Sequence, residues 1–497
     1  MASISLFPHS RAGVGVSGAV CVWLRLASLA ALAAAAPAAA DTLTYGGALR
    51  RIVELDASLA IAQYRVERAR EEIARVETQL TWNASGQGGV GRDLSLFGTP
   101  TDRADASLGA DKRLSFGPQI GASAGYTRED ATTSFSPLIP NPSESTRADV
   151  FWRQPLARGF GNPQYNEGRN IAEAEVQATT ADRIAAFDNL ARRTADVYFA
   201  AAYTRARLRN AEGAIARAER LLEYVRGNQR LGIAEQQDLL QAEAQLAGRR
   251  AEREALWLAW VQSRTVLNRL LVRGWDAELE LVLPVTTVVP SPEALRPAAE
   301  EHSPELARLN ARVQQAEAVI ERNRDSARDQ FDAVLSAGSR TFAGDTAAGS
   351  VSTSEPVGSL RLEYRGFLGS SAADIELNQA FIDRSIALRQ LADVRLDLHY
   401  TVFGLSAELT AAQVAEARAR ARVAAEAAKM AEATRLYRTG RTDTTALIQF
   451  ENDGRLAELL ADQQTIELAR RLTEADIVRG AYWNEIGQTP AAPGVQP

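Results

Sequence analysis

The sequence predicts a mixed α/β membrane protein, mostly α. Long coiled-coil helices build an α-helical barrel and join transmembrane β-barrel strands, in two structural repeats per chain. Three observations predict it. First, the chain repeats itself: Ala48-Leu49-Arg50 recurs as Ala294-Leu295-Arg296, and Leu59, Val66, Ala69 and Ile73 recur as Leu306, Val313, Ala316 and Ile320, an offset of 247. Second, apolar residues keep a heptad spacing through one very long stretch in each copy. Third, a segment rich in Gly, Ser and Thr interrupts the helical pattern at the same place in both copies.

Residues 1–40 stand outside this scheme. Arg11 and Arg25 precede an apolar run from Leu26 to Ala36, and Ala38-Ala39-Ala40 reads as a cleavage site before Asp41. That is the layout of a secretory signal peptide. The run is shorter than the roughly 18–20 apolar residues a helical span needs. Gly13 to Gly18 matches the letters of a dinucleotide fingerprint, but it follows no strand and lies inside the signal, so no cofactor is expected.

Composition removes several function classes. The net charge of −6 on 497 residues lacks the basic surplus of a nucleic-acid protein. The single cysteine, Cys21, lies in the signal, which excludes a disulfide scaffold and a Cys metal site. His9, His302 and His399 are far apart and show no ligand spacing, so no metal site is expected. No nucleophile motif accompanies His302 or His399, and no catalytic residue or enzymatic activity is expected.

The first repeat covers 41–290 and the second 291–488, followed by a disordered tail, 489–497. Each repeat opens with a helix, Leu43 to Leu80 and Pro292 to Gln330. The strand segments follow, 81–156 and 331–369. Next come the rods, roughly Asn166 to Arg230 and Ala372 to Arg438. Phe187, Ala201, Leu208, Ile215 and Leu222 fall on one heptad position, and Leu190, Val197, Ala211, Ala218 and Val225 on the other. Val402, Leu409, Val423 and Met430 repeat the seam beside Leu398, Leu405, Ala412 and Ala419. Many seam residues are Ala, which permits close helix approach. At 1.5 Å per residue each rod is about 100 Å long. Gly232 and Gly440 suit left-handed helix ends, and Thr442 or Asp443 suits the next N-cap. Return helices run from Glu235 to Leu271 and from Thr444 to Tyr482, so each copy holds a helical hairpin with a tight tip. Between the copies, Leu279 to Leu283 is a short β-like run in an irregular belt.

Asp105 to Leu114, Gln119 to Glu129, Arg147 to Leu156 and Leu360 to Tyr364 alternate loosely between apolar and polar residues. Runs of about ten alternating residues are the signature of membrane β-strands. Trp82, Phe151 and Trp152 fall where strands meet helices. Two hairpins cannot close a barrel, because the smallest needs about eight strands. Open edges are not tolerated in lipid, so several chains must pool their strands. Further on, the offset between the copies falls to 208, as in Arg230-Leu231-Gly232 against Arg438-Thr439-Gly440. The second copy is therefore 39 residues shorter. The rods match in length, so the difference belongs to the strand segment. It fits either a third hairpin turning at Arg113 to Pro118, giving six strands rather than four, or a long folded extracellular loop.

The repeat, the order helix–strands–long helix–tip–helix and the tips themselves resemble the outer membrane factor (TolC) family of channel-tunnels. Arg230-Leu231-Gly232-Ile233-Ala234, followed by Asp238 and Ala242, is similar to the family's first tip motif, and Tyr437-Arg438-Thr439-Gly440 to its second. Gln154-Pro155-Leu156 resembles the family's end of a strand, whereas Tyr364-Arg365-Gly366 lacks the corresponding proline. The resemblance implies a homotrimer, closed only as such, in outer-membrane lipid, with its helical tunnel in the periplasm. It also implies docking to a periplasmic adaptor (membrane fusion) protein and coupling to an inner-membrane transporter.

The expected function is a passive exit duct for efflux of small molecules or type I secretion. No Walker-type loop supplies energy. A periplasmic adaptor or coiled-coil scaffold is the alternative, but an adaptor carries one hairpin flanked by compact β domains. The expected docking tip is Arg230, Leu231, Gly232 and Ile233 with Arg438, Thr439 and Gly440. The family narrows its entrance with paired acids after the second tip. Those places hold Ala446 and Gln449 here, so no acidic ring of that type is expected. Asp238, Asp443 and the uncharged Gln449 remain as constriction candidates, with helix capping as the other reading of Asp443.

Overall fold

The computed structural model describes residues 41–94, 99–132, 136, 138–230, 232, 235–283, 289–366, 369, 371–439 and 441–483. The expected signal peptide and tail lie outside them. So do Leu231, Ile233 and Gly440.

The first repeat runs β1 (Asp41–Thr44), α1 (Tyr45–Leu55), α2 (Ala57–Glu77), β2 (Asn83–Leu94), β3 (Pro100–Arg113), β4 (Gln119–Ala131), β5 (Ser143–Pro155), α3 (Pro163–Arg230), α4 (Gln236–Leu270) and β6 (Leu279–Val282). The second runs α5 (Pro292–His302), α6 (Pro304–Ser326), β7 (Gln330–Thr346), β8 (Gly349–Arg365), α7 (Ala372–Arg438) and α8 (Thr444–Val478). The opening helix of each repeat is thus two helices, not one. Asp56 leaves the helical region with ψ 119° and its side chain accepts from the Ser58 N–H at 2.7 Å. Ser303 does the same before Pro304, which disfavours a helical preceding residue.

Six strands form one antiparallel sheet in the order β2-β3-β4-β5-β7-β8. The first repeat gives four strands and the second two, so the extra residues are a hairpin and not a loop. Its turn is where the sequence places it: the Leu114 N–H donates to the Pro118 carbonyl at 2.7 Å, and the Gly117 N–H to the Leu114 carbonyl at 3.0 Å. β5 and β7 join the two repeats, with Phe151 opposite Ser336 and Asp149 opposite Gly338. β1 and β6 pair in parallel as a separate two-stranded sheet at the belt. The Tyr198 hydroxyl sits between them and the rod, 2.8 Å from the Leu43 carbonyl and 2.7 Å from that of Val282.

α3 and α7 are single helices of 68 and 67 residues. On the sheet side of the belt the helices lie in the order α2–α3–α6–α7, and on the tip side α4–α3–α8–α7. The heptad residues fill the seams: Leu190, Ala201, Leu208, Ala211, Ala218, Leu222 and Val225 are buried on α3, as are Val402, Leu405, Leu409, Ala412 and Ala419 on α7. Small seam residues let these helices approach closely, which shapes flat side-by-side layers rather than a globular core. The largest apolar cluster gathers at the belt around Tyr45, Tyr198, Phe199, Trp260, Tyr482 and Trp483.

Candidate functional site

Two features can carry function: the faces and edges of the sheet, and the tip end of the rods. Alternation sorts the sheet's side chains. One face carries Arg103, Asp105, Asp111, Arg147, Asp149, Arg153, Asp332, Arg340 and Glu363. These residues pair among themselves: Arg153 Nη1 lies 3.0 Å from Asp332 and 2.9 Å from Glu363, and Arg147 is paired to Asp149. The opposite face carries Val90, Leu108, Tyr126, Val150, Trp152, Leu335, Leu360 and Leu362, with Ala, Gly, Ser and Thr between them. On β7 this face is uncharged from Ala333 to Ala343. Its large apolar side chains are exposed in the single chain. Lys112, Arg92, Asp102, Arg128 and Glu144 mark its two limits. A charged face and an uncharged band about ten residues tall match the alternation expected of membrane β-strands.

The sheet has two free edges, β2 and β8. The rods have two as well, α2 and α4 on one side and α7 on the other. Exposed apolar side chains follow those edges. Ile61, Tyr64, Trp257, Leu258 and Val266 lie on α2 and α4, and Ile375, Ile382, Ile386, Leu396, Tyr400 and Phe403 on α7. The inner helices α3 and α8 each expose one large apolar residue, Tyr224 and Leu456. Among the described residues no helix is long and apolar enough to cross a membrane.

At the tips, Gly232 has φ +72°, the left-handed conformation expected of it, with its N–H donating to the Gln229 carbonyl at 3.0 Å. Arg230 and Arg438 are exposed helix ends, and Thr439 turns back to the Leu436 carbonyl. Asp443 caps α8 through the Ala446 N–H at 2.7 Å, and Asp238 accepts the Glu235 N–H at 3.0 Å. Gln449 is exposed on the next turn of α8. The structure therefore gives both acids capping bonds, and Arg230 and Gly232 share one tip.

Sequence reasoning missed a polar network just behind the tips. The buried Glu451 carboxylate of α8 accepts from Arg217 Nε of α3 at 3.1 Å and Gln245 Nε2 of α4 at 3.2 Å, and lies 3.7 Å from Arg249. Arg249 also bonds Asn452, and Arg455 lies 3.2 Å from Glu252. Nearer the tip, Tyr224 and Tyr437 pack with ring centroids 5.4 Å apart, and the Tyr437 hydroxyl meets Thr444 Oγ1 at 2.8 Å. Burial pushes the Tyr437 hydroxyl above its ordinary pKa, so it stays protonated as a hydrogen-bonding group. The one sequence signal was the repeat itself. Glu451 is the counterpart of Glu243, which makes an exposed pair with Arg226 inside the first hairpin.

The family model described as outer membrane efflux protein matches residues 101–272. The chain also shares its fold with solved structures. One is VceC, an outer membrane protein of Vibrio cholerae (TM-score 0.59, 13% identity, 88% of this chain and 96% of that one). The outer-membrane channel OprN is similar at TM-score 0.55 and 16% identity, over 88% and 89% of the two chains. So is the Campylobacter jejuni CmeC outer membrane channel, at 0.52 and 11%, over 96% and 94%. No curated protein matches in sequence.

Proposed function

We propose that this chain, a member of the outer membrane efflux protein family, is one third of a passive exit duct in the outer membrane, serving efflux of small molecules or type I secretion. The observation that carries the reading is the two-faced sheet with two free edges, continuous with rods that also have two free edges. Unpaired strand edges in hydrocarbon leave backbone groups without partners, several kcal/mol each. Pairing β2 of one copy with β8 of the next removes both edges and buries the apolar sides of α4 and α7 in the same step. Three copies make a barrel of eighteen strands, wide enough for a water-filled lumen lined by the charged face. The rods continue that lumen toward the periplasm.

The duct has no energy source of its own, so the gradient or ATP is spent elsewhere. The tips, Arg230 to Ile233 and Arg438 to Gly440, are the surface offered to a periplasmic adaptor, which couples the duct to an inner-membrane transporter. The network around Glu451 holds the two hairpins of one chain together there, so their relative position sets the entrance. A periplasmic adaptor is not the favoured reading, since an adaptor has no use for a six-stranded sheet with an uncharged outer band.

The test is the purified chain in detergent. A trimer by light scattering that forms water-filled channels in planar bilayers is the expected result. A monodisperse monomer in buffer without detergent would end the reading.

A further inference from the structure

The belt end of α4 has an unusual shape. Val272 holds φ +52°, a conformation strained for a β-branched residue. Its N–H donates to the Arg269 carbonyl at 3.2 Å, and the Arg273 N–H to that of Asn268 at 2.9 Å. Glycine is the usual residue at such a helix end. The loop is also held from beneath. Asn268 is fully buried, and its Nδ2 donates to the carbonyls of Ala277 at 2.9 Å and Trp275 at 3.4 Å. The result of this fixed, strained loop is that Val272 and Trp275 stand in solvent, 67% and 71% exposed. Strain kept at a place where the side chain is two-thirds exposed points to a contact outside its own chain.

The opposite edge offers the complement. Tyr400 and Phe403 lie three residues apart on α7, hence on one face, and are 68% and 71% exposed. Both pairs stand near the belt. The end of α4 packs through Leu267 and Leu271 into the cluster that holds Ala469 and Ile477 of α8. α7 packs through Val402 and Leu405 into the cluster that holds Leu472 and Ala475, on the same stretch of α8. α4 and α7 are the free edges of the tip-side layer. Closing the layer on itself with further copies therefore brings the α4 edge of one against the α7 edge of the next.

We propose that Val272 and Trp275 of one copy seat against Tyr400 and Phe403 of the next, as a belt contact that fixes the register of neighbouring rods. A seam of repeating heptads packs almost equally well after a slip of seven residues, so a single bulky, fixed contact is what selects one register. Aromatic side chains presented at low entropic cost suit that task. The proposal rests on the multi-copy reading above.

The experiment uses the full chain in detergent, which has no cysteine after residue 21. Trp275→Cys and Phe403→Cys are combined and treated with a short bis-maleimide, beside light scattering of the same sample. Dimers and trimers on a denaturing gel, absent from each single variant, are expected. An intact oligomer with no cross-link, or a cross-link within one chain, overturns the contact and leaves the duct reading standing. A wild-type monomer in detergent overturns both. Val272→Gly gives an independent arm. It relieves the strained φ, so a purely local role predicts oligomers as heat-resistant as wild type or more so, and that result overturns the proposal. A contact role predicts oligomers that fall apart at lower temperature.

Discussion

Glu451→Ala is the substitution that asks how the two hairpins of one chain are held together. The carboxylate is 6% exposed and sits between Arg217, Gln245 and Arg249. It is therefore one anchor on α8 for both helices of the first hairpin. Deleting one partner of a buried pair costs about 3–5 kcal/mol, because the other charge is left without compensation. Here each arginine keeps a second carboxylate. Arg217 has Glu458 at 3.3 Å and Arg249 has Glu252 at 3.0 Å. The expected cost falls accordingly, to about 2–3 kcal/mol.

That loss acts locally. On the tip side the second hairpin meets the first through α8 packed on α3, while α7 is the far edge. The tip of the second hairpin, which carries the exposed Arg435, Arg438 and Arg441, should open more often. Limited trypsin digestion reads that population when reclosing outpaces cleavage, so cutting at these sites should quicken roughly 30- to 150-fold. Arg226 and Arg230 on the first hairpin serve as internal comparators. Arg217→Ala with Glu451→Ala should cost less than the sum of the two singles, as expected of residues in one network. Cutting within about twofold of wild type would refute the argument, since it would mean the network stores less than about 0.5 kcal/mol.

Gly232→Val forces a β-branched residue to φ +72° and costs about 1–2 kcal/mol at the turn; oligomers should stay abundant while export is lost, checked by cargo export beside oligomer quantity. Asp443→Asn keeps a good N-cap, so thermal stability should hold, whereas Asp443→Ala should cost about 1 kcal/mol; unchanged block by divalent cations in Asp443→Asn channels would mark Asp443 as a cap and not a gate. Glu300 is held below the ordinary carboxylate range by the His399 hydrogen bond and then by Arg296. A depressed carboxylate contributes stability above its unfolded pKa and loses it as pH falls through the folded one, so the gap in melting temperature between wild type and Glu300→Gln should shrink on acidification. A Cβ on Gly338 would collide with the Ala148 carbonyl across β5 and β7; Gly338→Ala should therefore remove heat-resistant oligomers from gels.

The sequence was most informative where one local rule repeats many times. The α3 and α7 seams follow from heptads that persist over more than nine turns, whereas the length difference between copies fitted a third hairpin or a loop equally and only the strand pairing decides between them. The sheet was only half legible. β2 contains Gly86, Gly88, Gly89 and Gly91, and in a strand whose outward positions are small the alternation of polarity almost vanishes. β1 and β6 are four residues each, too short for any periodicity, and they pair across more than 230 residues of chain. Both helix breaks were missed: Pro304 signals the one at Ser303, while the one at Asp56 rests on a residue whose backbone N–H closes one helix and whose carboxylate caps the next, a role Asp also leaves unused on many helix surfaces.

The network at Glu451 shows why a site of this kind escapes sequence reading. Glu243 and Glu451 hold the same place in the repeat, yet one is exposed beside Arg226 and the other buried among groups from two helices. What separates them is position in the layer, since α8 lies between α3 and α7 whereas α4 lies at an edge. An internal duplication therefore does not duplicate function. The helix that falls at an edge, α4, keeps this charge in water and leaves apolar side chains exposed. The helix that falls inside, α8, turns the same residue into a fastener between hairpins. Exchanging the two environments should exchange the sensitivities. Glu243→Ala leaves only an exposed pair unmade, worth at most about 1 kcal/mol, and its trypsin pattern should match wild type where that of Glu451→Ala does not. Equal sensitivity of the two would mean that burial between hairpins is not what gives Glu451 its weight.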